Sequence, residues 1–114
     1  MKKIEIACFN LESALIAQTA GADRVELCAD MLVGGTTPII ETIQQARKHL
    51  TIDLYVMIRP RGGNFVCSEA EFEQMKLGIE NIKKLGVNGF VFGILNKDKT
   101  INIEQNKVLV ELAN

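Results

Sequence analysis

Apolar positions along the chain fall into two alternating patterns. Short apolar runs cover residues 4–8, 24–28, 54–59 and 89–95. Between them lie longer stretches whose apolar residues recur three and four apart, the spacing of one helix face. Leu11, Ala14, Leu15 and Gln18 form the first such face, with Asn10 placed to cap it and Gly21 to end it. Ile39, Ile43, Ala46 and Leu50 form the second, where Thr37 reads as the N-cap and Pro38 as the first helical residue. Phe72, Met75, Ile79, Ile82 and Leu85 form the third, over about 69–85, opened by a Ser68/Glu71 capping box. A polar turn at 96–100 leads to a last helix over about 103–113.

The predicted order is βαβαβαβα. Strands that are apolar throughout and separated by amphipathic helices imply a parallel sheet with right-handed crossovers. No low-complexity linker interrupts the pattern, so a single α/β domain is expected over residues 1–114. The third strand ends in Arg59-Pro60-Arg61-Gly62-Gly63. It delivers cations and a flexible loop to a C-terminal strand end, where parallel α/β folds bind ligands.

Composition narrows the function classes. The apolar share is 47%, the charged share 24% and the net charge −1. With aromatic residues at 5% and no Trp, neither a basic stripe nor a base-stacking platform is indicated, so no nucleic-acid partner is expected. No apolar stretch approaches the roughly 18 residues of a membrane span, and Met1-Lys2-Lys3 runs straight into the first strand. A cytoplasmic protein without a membrane partner is the expectation. Cys8, Cys28 and Cys67 are odd in number and lack C-x-x-C spacing, which argues against a disulfide framework.

Three segments carry a resemblance. Residues 21–28 (GADRVELC), 34–38 (GGTTP) and 58–65 (IRPRGGNF), followed by GFVFG at 89–93, closely resemble the CutC copper-homeostasis family. The resemblance implies a (β/α)8 TIM barrel of which this chain holds about four units, its N-terminal half. A complete barrel takes about 250 residues, and the family's later motif Phe-His-Arg-Ala-Phe-Asp does not occur here. Four strands leave the first and last as unpaired edges. A homodimer or a missing second half-barrel is the partner this implies, and a truncated, inactive half-barrel is a further alternative.

Strand alternation then sorts the candidate chemistry. Glu5 and Ala7 share a face, as do Glu26 and Cys28, and Met57, Arg59 and Arg61. In a barrel the charged face is expected inside, with Ile4, Ile6, Val25, Leu27, Val56 and Ile58 meeting the helices. Two readings stay open. One is a buried Glu5–Arg59–Glu26 ion cluster that fixes register. The other is a catalytic site for a small anionic substrate, with Arg59 and Arg61 clamping a phosphate or carboxylate and Glu5 or Glu26 as acid or base. The Gly34-Gly35-Thr36 loop, with Gly62 and Gly63, offers backbone N–H groups for an anion or serves as ordinary βα turns. His49 and the Asp23-Arg24 pair read as structural.

Copper enters only through the resemblance. The family's proposed Cu(I) site takes one cysteine from each of the first two strands. Cys28 matches the second position, whereas the first falls on Ala7, with Cys8 one residue later. A one-residue offset turns a side chain to the other face of the sheet. Cu(I) would therefore reach Cys28 more readily than both thiols together.

Overall fold

The computed structural model describes residues 2–114. Strands β1 (Glu5–Cys8), β2 (Arg24–Leu27), β3 (Asp53–Met57) and β4 (Gly89–Val91) alternate with helices α1 (Leu11–Thr19), α2 (Ile40–His49), α3 (Glu69–Lys83) and α4 (Ile103–Ala113). The strands form one parallel sheet in the order β1-β2-β3-β4, so α1, α2 and α3 each return the chain to the neighbouring strand.

Local chemistry sets most of the boundaries. The Asn10 side chain accepts from the Ser13 amide at 2.7 Å and opens α1. The Ser68/Glu71 capping box is complete, at 3.1 and 2.9 Å, and opens α3. Asn102 caps α4 through the Gln105 amide. The α2 expectation needs correction, because the helix starts at Ile40 after an Ile39 cap that lends no side-chain hydrogen bond. Thr37 lies too far upstream to reach the first turn. Its hydroxyl instead accepts from the Arg59 amide at 2.9 Å and donates to the Arg59 carbonyl at 3.2 Å. Thr37 thereby satisfies backbone groups of the residue two beyond the end of β3. Strand β4 is also shorter than the apolar run suggested, since Leu95 leaves the ladder to bridge Ile101.

The core lies between sheet and helices. Val25, Leu27, Leu54 and Val56 point to that side with no exposed surface, against Ala14, Ile43, Ala46, Ile79 and Leu109. Each large aliphatic side chain buried there stabilises by about 1.5–3 kcal/mol. Ile4 and Ile6 share this side yet are 59% and 37% exposed, contrary to expectation. They sit on an edge strand, and among the described residues no helix covers its outer flank.

Candidate functional site on the concave face

The opposite, concave face carries the polar side chains. Along β2 and just past its end, Arg24, Glu26 and Cys28 alternate with the buried Val25 and Leu27. The register places Glu5 beside Arg24, and Glu26 between Ala7 and Tyr55. Arg24 Nε donates to Glu5 Oε2 at 2.5 Å, and the guanidinium lies 4.3 Å from the centroid of the Tyr55 ring. Tyr55 in turn requires a glycine on β4, since a Cβ at Gly89 would sit 2.6 Å from the ring.

The cation of this cluster is thus Arg24, a residue that sequence spacing assigned to the framework. The expected Glu5–Arg59–Glu26 cluster does not form. Alternation along β2 does contain the missing signal, because Arg24 has the same parity as Glu26 and Cys28. The cluster is also wetter than expected, with the Arg24 and Glu5 side chains 34% and 27% exposed.

Glu26 is the unusual carboxyl. Burial raises its pKa, and a hydrogen bond to Glu5 together with that neighbour's charge raises it further. The Cys28 thiol donates to the Glu26 side chain at 3.8 Å and is pushed up to about 12, by burial first and then by the Glu26 charge. At neutral pH it is a thiol rather than a thiolate.

Arg59 and Arg61 shape the barrel mouth. Arg59 donates from Nη1 to the carbonyls of Val33 and Gly35 at 2.8 and 2.9 Å, and from Nη2 to that of Gly63 at 2.7 Å. Its guanidinium packs on Phe65 at 4.6 Å. Arg61 pairs with Glu71 at 2.6 Å and donates to the carbonyls of Gly62, Asn64 and Val66. Arg59 ties the loop after β2 to the loop after β3, whereas Arg61 bonds within the latter loop and to α3, which leaves Arg61 little free donor capacity for a substrate anion. Among the described residues, Arg59 Nε is buried without a hydrogen-bond partner.

The glycines serve the same packing. The amides of Gly34, Gly35 and Thr36 donate to the carbonyls of Met31, Asp30 and Ala29, so the proposed anion cradle is closed by its own loop. A Cβ on Gly62 would lie 2.6 Å from Val33 Cβ, which is the close approach that requires a glycine there. Gly63 turns at φ +87°.

The thiols do not converge as a pair. Cys8 pairs in register with Leu27 and lies in the core on the helix side, whereas Cys28 sits on the concave side, so the pleat separates their side chains. Cys67 follows the Arg61 loop, and its Sγ is 3.6 Å from Met75 Sδ on α3. Among the described residues, no three His, Cys, Asp or Glu side chains gather around a point that could hold a metal ion.

Four parallel βα units, with polar side chains on one face and long loops at the strand C-termini, define half of a TIM-type barrel. Residues 2–114 match the model of the CutC family, and the chain belongs to that family. It is 46% identical over 113 residues to a CutC family protein of Photorhabdus laumondii, and 46% over 110 residues to one of Mesorhizobium japonicum. These alignments take in 99% and 96% of this chain but 46% and 43% of the relatives, so the chain spans about half their length. A crystal structure of a CutC protein of Streptococcus agalactiae, assigned to copper homeostasis by its name, superposes with a TM-score of 0.91 at 36% identity. It covers 98% of this chain and 55% of that one.

Proposed function

We propose that this chain acts in copper homeostasis as half of a βα barrel, taking up Cu(I) as cargo in the cytoplasm. The observation that carries this reading is the fit to the Streptococcus agalactiae protein, whose name assigns that role. Three free cysteines and a small set of thioethers supply donors of the soft kind that Cu(I) prefers. The open edges of β1 and β4 are closed by a second copy or by a second half-barrel. Native mass spectrometry of the reduced chain tests the reading, with one bound Cu(I) as the expected outcome. A copper-free species of any mass would overturn it.

The concave face favours a second reading, an acid–base site for a small phosphate or carboxylate ligand. Burial and the Glu5 carboxyl raise the Glu26 pKa, and Arg24 engages Glu5 through Nε, with no hydrogen bond from its Nη atoms among the described residues. Those Nη atoms would bind the anion while Glu26 supplies a proton. Phosphate is expected to raise the melting temperature, and Arg24→Met to erase the rise. A melting temperature indifferent to phosphate and to simple carboxylates would remove this reading.

A further inference from the structure

The sheet leaves two edges open, and each lacks what the other carries. In a right-handed βα array every helix lies over the gap between its own strand and the next. Among the described residues β1 has no helix on its outer flank, so Ile4 and Ile6 stand exposed on the side where the core lies. At the other edge, α4 packs on α3 and buries Leu109, but one of its flanks has no strand beneath it. Asn106 marks that flank, since its side chain bonds to the backbone of Ile94 just after β4. Ile103 and Val110 share the flank at helical spacing and are exposed. One edge thus offers a strand without a helix, and the other a helix without a strand.

We propose that these edges fit each other in a twofold dimer of this chain, with β1 of each copy paired in parallel with β4 of its partner and the partner's α4 laid over Ile4 and Ile6. The proposal rests on the half-barrel reading above, whose partner it names, and not on the copper cargo.

Symmetry supports a second copy as the occupant. A twofold axis along the barrel axis keeps the four strands of each copy parallel to those of the other, and one operation closes both edges of both copies. Apolar area is the second support. Ile4 and Ile6 on one edge and Ile101, Ile103 and Val110 on the other lie between 37% and 75% exposed. They bare roughly 500 Å² per junction, so two junctions with their strand edges come within the range of about 1,200–2,000 Å² that a stable interface buries.

The backbone makes the same demand. In a parallel ladder alternate residues bond to opposite neighbours. The carbonyls of Ile4 and Cys8 accept from the amides of Arg24 and Cys28. The backbone groups of Glu5 and Ala7 therefore face the open edge, where a partner strand satisfies them. The concave face is incomplete in the single chain as well. A cleft of about 600 Å³ is lined by Arg24, Tyr55 and Val91 of that face and by Phe90, Ile101 and Val110 of the β4 edge. In the dimer the partner's β1 fills the β4 side of this cleft.

The test measures the mass of the full-length reduced chain by sedimentation equilibrium at micromolar concentrations, where a dimer is expected. Ile6→Lys on β1 and Val110→Glu on α4 should each weaken association about a hundredfold. Leu77→Lys, on the exposed side of α3 away from both edges, should leave it unchanged. Mixing the first two variants restores one unaltered junction and sets the opposite charges together in the other, so a 1:1 heterodimer should form. Hydrogen exchange on the unaltered chain avoids any folding defect. The Glu5 and Ala7 amides should exchange about tenfold more slowly where the dimer forms than on dilution. A monomer throughout would overturn the proposal. A dimer that one edge variant breaks and the other leaves intact would also overturn it, because that pattern joins like edge to like. Native mass spectrometry reads copper separately, and a copper-free dimer would remove the cargo while leaving this assembly standing.

Discussion

On the helix side of the sheet, Val25, Leu27, Leu54 and Val56 are sealed under four helices. On the concave side, Glu5, Arg24, Glu26 and Tyr55 keep part of their surface in water. The same strands build both faces, and the pleat sends alternate residues to each. Over β2 and β3 the helix side needs nothing beyond this half-barrel to exclude water, while Ile4 and Ile6 at the β1 edge stay exposed. The concave side has no second layer in this chain. Its groups satisfy one another through the Glu5–Arg24 pair, the Arg24–Tyr55 stack and the Cys28–Glu26 hydrogen bond. Folding stability therefore belongs to one face, and ligand or partner chemistry to the other.

Three substitutions sharpen or break that contrast. The largest effect is expected on the helix side, where Leu54→Ala removes a fully buried side chain and should cost about 2–5 kcal/mol in denaturant unfolding. A cost below that of a concave substitution would contradict the division. Next is Gly89→Ala, whose new methyl meets the Tyr55 ring beneath Arg24 and should cost about 1–3 kcal/mol. A neutral result would show that Tyr55 moves freely and that the concave packing is loose.

The smallest effect, and of opposite sign, is expected from Glu26→Gln. A carboxyl whose folded pKa lies above its unfolded value adds stability at low pH, and that stability is lost as pH rises through the folded pKa. Glu26 is such a group, so the variant should be slightly more stable than the parent at neutral pH and lose that advantage in acid. Solvent screening keeps the difference small. Glu71, held low by Arg61, loses stability as pH falls in both proteins, so the measured quantity is the difference between their stability–pH curves. A parent more stable than the variant at neutral pH would contradict the raised pKa.

Much of the fold was legible in the residues. Alternation placed Val25 and Leu27 against the helices and Glu26 and Cys28 opposite them, and Ser68 with Glu71 announced α3. These signals are local, since side-chain parity and capping need only a few consecutive residues. The partners of the arginines were not legible. Arg59 and Arg61 stand beside a glycine-rich turn in a pattern that suits an anion clamp equally well, yet the carbonyls of Val33 and Gly35, well before Arg59 in the chain, engage Arg59. Thr37 was misplaced for the same reason, because its hydroxyl answers to Arg59 and not to the helix that follows. Ile4 and Ile6 had the right parity but no cover, since exposure at an edge depends on which elements flank the strand.

The chain by itself determined its element order, its parallel sheet, the side of the sheet each strand residue faces and its resemblance to the CutC family. The first three follow from periodicity and short-range chemistry that the backbone cannot escape, and the resemblance from the motifs at 21–28, 34–38 and 58–65. Tertiary structure alone decided that Arg24 rather than Arg59 joins Glu5 and that Cys67 touches Met75. Those outcomes depend on strand register and loop approach, which bring together residues up to 26 positions apart. Hydrogen bonds and packing at such separations are settled only when the sheet has closed around its core.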